Sequence, residues 1–102
     1  MSYHVHISDR ESDYLDVLPL SPEAKERIGH FINETIANVS DEYRLNPENR
    51  PVPDTPYFRI HCILLDKWGD GNLHGIDFHI RDDHAEQGVL LMVYTQHRER
   101  HS

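Results

Sequence analysis

From Tyr57 to Gln96 the chain offers three runs rich in aromatic and β-branched residues, Tyr57 to Leu65, Leu73 to Arg81 and Val89 to Gln96, with little chain between them. The separators, Trp68-Gly69-Asp70-Gly71-Asn72 and Asp82-Asp83-His84-Ala85-Glu86-Gln87-Gly88, have turn composition. Links this short cannot carry a parallel crossover, so the runs predict an antiparallel three-stranded meander. Such a sheet buries one face only, and the rest of the chain must supply its cover.

Upstream, Tyr3-His4-Val5-His6-Ile7 alternates strictly and reads as a first strand, with Tyr3, Val5 and Ile7 on one face and the histidines on the other. Ser8 and Asp9 can cap a short acidic helix over Asp13 to Leu18, which Pro19 interrupts. Ser21-Pro22-Glu23 is a stronger start signal, joining a capping hydroxyl, a proline preset for the first turn and an acid at the positive dipole end. Ala24, Ile28, Phe31, Ile32, Thr35, Ile36, Val39 and Tyr43 follow at helical spacing and predict one longer helix packed on the sheet. Gly29 within it is read as tolerated weakness. Prolines 47, 51, 53 and 56 remove backbone donors between Leu45 and Pro56, a segment expected to be a stiff connector without helix or central strand. The expectation is a single α+β domain over residues 1–102: an N-terminal strand, two helices on one face of the sheet, and the meander.

Apolar residues make up 37% of the chain and fall in segments, which supports a packed core. No run approaches the roughly 20 apolar residues of a membrane span, and Met1-Ser2-Tyr3-His4 opens no secretory leader, so the cytoplasm is the expected compartment. In that setting the Asn-x-Ser/Thr triplets at Asn33 and Asn38 carry no weight. The single cysteine, Cys62, sits in an apolar run and is expected to act as a small hydrophobe. A formal charge of −8 accompanies nine histidines, so the electrostatic character of the chain depends on pH near and below neutrality. Acidity of this size works against non-specific nucleic-acid binding, and any nucleic-acid role needs a local basic patch.

The order of elements resembles the RelE/ParE toxin superfamily. The resemblance rests on the opening strand ending in Ile7-Ser8, on Leu15-Asp16-Val17-Leu18-Pro19 leading into Ala24 to Val39, and on the closing Val89-Leu90-Leu91-Met92-Val93-Tyr94 followed by Gln96-His97-Arg98. Two departures are the acidic charge and the longer proline-rich connector and Trp68 hairpin. The resemblance implies the toxin of a toxin–antitoxin pair, with an antitoxin as protein partner. It implies either a ribosome-dependent mRNA endoribonuclease or a relative that has lost RNA cleavage and targets another protein.

RNA cleavage through the 2′-hydroxyl needs a base, an acid and cations for phosphate charge. Arg59 and His61 share a face of the second run, and Asp77, His79 and Arg81 share one of the third. The candidate catalytic set is therefore Arg59, His61, His79 and Arg81, with His97 or Tyr94 from the last run. His79 or His61 is the expected base, His97 the acid, and the arginines the phosphate clamps. The same residues are also what a sheet covered on one face shows to solvent. Parity cannot assign Tyr94 or His97 to a face, because their run is apolar at consecutive positions.

His4 and His6 could converge with His61 or His79 on zinc, but no Cys-x-x-Cys or His-Glu-x-x-His spacing is present, and neither metal nor cofactor is expected. Asp66 to Asp77 does not meet the calcium-loop pattern, because Trp68 stands at a ligand position and Asp77 where a bidentate glutamate belongs. Trp68 is expected to fold back over the sheet edge, and the acidic runs Asp9 to Asp16 and Asp82 to Glu86 to be solvated faces. The competing functional class is a non-enzymatic acidic binding module, an inhibitor or immunity-type protein acting on a basic partner through charge complementarity.

Overall fold

A computed structural model describes residues 3–50, 56–83 and 89–100, with the side chains of residues 83, 89, 91–94 and 100 outside that description. Its order is β1 (His4–Ile7), α1 (Asp9–Asp16), α2 (Pro22–Glu34), α3 (Asp41–Leu45), β2 (Tyr57–Leu65), β3 (Leu73–Asp83) and β4 (Val89–Arg100), with 3-10 turns at Ile36–Asn38 and Pro47–Asn49. The four strands form one sheet in the order β1-β4-β3-β2. β2, β3 and β4 are the expected antiparallel meander, and β1 joins it in parallel on the outer side of β4. The architecture is α+β, and among the described residues no helix is long and apolar enough to cross a membrane.

Each α-helix opens on a serine. Ser8, Ser21 and Ser40 accept hydrogen bonds from the amides of Glu11, Ala24 and Tyr43, satisfying donors that the first turn leaves without partners. The third cap corrects the expectation of one helix running to Tyr43. α2 stops at Glu34, and Ser40-Asp41-Glu42 restarts the chain as α3 with the same serine-then-acid signal that starts α2. The apolar period continues through the break because Ile36, in the 3-10 turn, and Val39, its extended C-cap, still face the core. The connector is corrected as well: Pro47 opens a 3-10 turn capped by Asn46, since proline at a first helical position loses no hydrogen bond. Pro51 and Pro53 lie outside the described residues.

The core forms where Ala24, Ile28, Ile32 and Ile36 meet Phe58, Ile60 and Cys62 of β2, Ile76, Phe78 and Ile80 of β3 and Leu90 of β4. Phe31 stacks on Phe78 with ring centroids 5.9 Å apart. The register carries that face across strands, with Phe58 opposite Ile80, Ile60 opposite Phe78 and Cys62 opposite Ile76. Every intervening residue of β2 and β3 is thereby committed to the other face, away from the helices.

One irregularity alters this alternation. Between His79↔Tyr94 and Ile80↔Met92 the β3–β4 ladder skips Val93, so β4 carries a bulge. An extra residue reverses the parity of everything beyond it. Tyr94 and Gln96 consequently stand in register with the exposed row of β3, and Thr95 and His97 with the buried row.

The hairpin between β2 and β3 is anchored to α2. Asp66, almost wholly buried, accepts the Ser21 amide at 2.8 Å and the Ser21 hydroxyl at 2.5 Å. Gly69 packs so closely that a Cβ there would sit 2.5 Å from Asp66 Oδ2. Gly71 closes the turn at φ 75°, a region open chiefly to glycine. Trp68 stays exposed in the hairpin, with the cations of Arg27 from α2 (4.8 Å) and of Lys67 (4.9 Å) over its ring.

A candidate phosphate-binding face on the sheet

Four of the sequence candidates share the exposed face of the β2–β3 ladder. Arg59 stands opposite His79, and His61 opposite Asp77, while Arg81 lies one step along the same row opposite Tyr57. His61 Nδ1 is hydrogen-bonded to Asp77 Oδ1, and its ring lies over Gly75, where an added Cβ would come within 3.3 Å of Cε1. The missing side chain at Gly75 lets the imidazole lie flat on the sheet, and Asp77 fixes its rotation. With Nδ1–H donated to the carboxylate, Nε2 is the nitrogen left to exchange a proton with a ligand.

His79 is half-buried. Burial holds its imidazole below the usual value, Arg59 adds to the lowering, and Asp77 opposes it. A neutral ring beside a guanidinium is the state a base near neutral pH requires.

The face continues over the edge of β2 into a depression of about 320 Å³ lined by Tyr43, Glu48, Asn49, Arg50, Arg59 and His61. Tyr43 builds this wall by donating its hydroxyl to the Arg59 carbonyl at 2.6 Å and setting its ring edge-on to Phe58. Arg50 adds a cation that periodicity could not reveal, since it lies outside any strand or helix.

His97 is not part of this face. The bulge puts it opposite Ile76 in the buried row, where its Nε2 lies 2.9 Å from Nδ1 of His74. Tyr94 stands in register with His79, and its side chain lies outside the described residues.

On the covered side, Asp70, His74 and His97 form a chain of hydrogen bonds that the sequence reading missed. His74 is fully buried and reaches Asp70 Oδ1 through Nε2 at 3.0 Å. Asp70 also accepts the Asn72 amide, and both bonds hold its carboxyl below the usual range, His74 being the larger influence. Burial pushes the Asp66 carboxyl up, but the Ser21 hydroxyl and amide and the Gly69 amide outweigh it and the net direction is down. Burial, and then the neighbouring His74, lower His97. Strict alternation would have found His74, because it shares parity with Ile76, Phe78 and Ile80.

His4 and His6 lie on β1, separated from β2 by two strands and from β3 by one, so the sheet order sets them apart from His61 and His79. Asp82 departs from the expected solvated run. It is largely covered and paired with Arg44, which also binds Asp41 and the Tyr3 hydroxyl and so ties α3 to β3 and to the residue preceding β1. Residues 84–88 lie outside the described residues. Cys62 is buried, and burial pushes its thiol up to about 11. In comparisons with protein-family models, curated proteins and solved structures, no match to this chain was found.

Proposed function

We propose that this chain is a RelE/ParE-like toxin whose exposed β2–β3 face performs phosphoryl transfer on RNA. The observation that carries the reading is the pairing of an Asp77-oriented His61 with a half-buried His79 beside Arg59, bordering a depression that Arg50 also lines. Overall acidity opposes RNA binding, but on this side Arg50, Arg59 and Arg81 stand against two acids, Asp77 and Glu48.

In the proposed reaction His79 takes the proton of a ribose 2′-hydroxyl as its oxygen attacks the adjacent phosphorus. The bond from phosphorus to the 5′-oxygen breaks, and His61 in its protonated form delivers a proton to that oxygen. The products are a 2′,3′-cyclic phosphate and a 5′-hydroxyl. Arg59 and Arg81 neutralise charge on the phosphoryl oxygens. His61 replaces His97 as the acid, since His97 belongs to the covered face.

The test is induction of the chain alone in a bacterial host. Growth arrest with fragmented mRNA supports the proposal, and an innocuous chain with intact mRNA opposes it. Alanine at His79 is expected to lower cleavage by about 10²- to 10⁴-fold while thermal unfolding at neutral pH stays unchanged.

A second reading, an acidic module for a basic partner, draws on a groove of about 600 Å³ along α2 lined by Glu23, Glu26 and Glu34 together with Arg27, His30 and Trp68. Its positive sign is capture of a basic protein that weakens steeply with salt, in a host whose mRNA stays intact.

A further inference from the structure

We infer that Asp66, Asp70 and His74 form a binding site for one divalent transition-metal ion at the β2–β3 hairpin, on the face opposite the phosphoryl-transfer patch. Each residue offers one ligand atom, and the three atoms lie within 4.8 Å of one another. Two of the residues, Asp66 and His74, are almost wholly buried, while Asp70 is open to solvent and leaves an entry path. Asp70 Oδ1 and His74 Nε2 already stand 3.0 Å apart, close to the roughly 3.3 Å donor separation of a tetrahedral zinc site, whose remaining position would be left to water.

Charge balance points the same way. Two carboxylates converge here, and among the described residues neither has a lysine or arginine in an ion pair. The positive groups facing them are the Ser21, Gly69 and Asn72 amides, the Ser21 hydroxyl and the ring of His74. Each Asp66 oxygen accepts one bond from Ser21 and the Gly69 amide supplies a third, which leaves one lone pair of the carboxylate for an ion.

The surroundings supply orientation as well. His74 presents Nε2 to Asp70 and is held through Nδ1 by His97, the outer partner by which protein sites fix a metal-binding imidazole. On binding, Nε2 would give up its proton to coordinate the ion, Nδ1 would become the donor to His97, and His97 would carry its own proton on Nδ1. One imidazole with two carboxylates favours Zn²⁺, Co²⁺ or Mn²⁺ over Ca²⁺, which takes an all-oxygen shell. The calcium-loop pattern fails in space for a related reason, since Asp77 turns to the other face and pairs with His61.

The experiment is titration of the whole chain with Zn²⁺ by calorimetry and with Co²⁺ by visible absorption. One ion per chain is expected, with affinity falling at least about tenfold in Asp70→Asn and about 10- to 100-fold in His97→Ala, and unchanged in the double variant His4→Ala/His6→Ala. Absence of saturable binding overturns the inference. So does binding that survives in Asp70→Asn or disappears in the His4/His6 variant, since the ion then sits on surface histidines. Should Asp70→Asn fail to fold, Mn²⁺ broadening of the wild-type amide resonances decides: a centre at residues 66–74 supports the site and any other centre overturns it. These outcomes do not depend on RNA cleavage, which is read on the opposite face.

Discussion

His79 has a lowered imidazole value, which gives it a defined signature with pH. In the folded chain it gives up its proton below the ordinary value near 6.5, so acidification makes the unfolded state bind more protons than the folded one. The stability associated with His79 is therefore present above the ordinary value and is lost as pH falls through it. Replacing His79 by glutamine is expected to flatten the decline of unfolding temperature between neutral pH and about 5. An unchanged decline would assign it to other histidines. Ser21 offers a second residue-scale test, because one hydroxyl caps α2 and donates to buried Asp66. Ser21→Ala is expected to cost about 1–3 kcal/mol in urea unfolding, from the lost cap together with a carboxylate left short of a donor. Cys62 should resist thiol reagents until the chain unfolds, because burial keeps its thiol protonated.

At the scale of elements, alternation and capping made most of the sheet, the start of α2 and the Ser8 cap legible, whereas α1 runs over Asp9–Asp16 and not over the expected Asp13 to Leu18, because the helix begins directly at its cap. Arg59, His61, His79 and Arg81 were assignable because β2 and β3 alternate without interruption from Tyr57 to Arg81. His97 was not, for a local reason: the bulge at Val93 reverses parity midway along β4, and a consecutively apolar run gives no warning of it. The parallel pairing of β1 with β4 was equally hidden, since it joins opposite ends of the chain. The restart at Ser40 was readable as a cap but was masked by an apolar period that persists through the break. Within α2, a Cβ at Gly29 would meet nothing within 4 Å. Gly29→Ala is therefore expected to stabilise the chain by about 0.5–1 kcal/mol, raising the unfolding temperature by a few degrees. A loss of stability would mean that the helix needs the smaller residue there.

At the scale of the molecule, the sheet separates two chemistries. One face is sealed by the helices and contains the Asp66–Asp70–His74–His97 corner, while the other stays open and holds the Arg59–His61–His79–Arg81 group. The net charge of −8 is unevenly spread, because Arg50 and Arg59 line the depression beside the open face with one acid, Glu48, while Glu23, Glu26 and Glu34 line the outer groove of α2 with one arginine, Arg27. The most direct measurement of the central claim is end-group analysis of mRNA from cells induced for the wild-type chain and for His61→Ala/His79→Ala. The account predicts new 5′-hydroxyl and 2′,3′-cyclic phosphate ends with the wild type and none with the double variant, whose unfolding temperature should match. Intact mRNA with the wild type, or the same ends from a folded double variant, would contradict it.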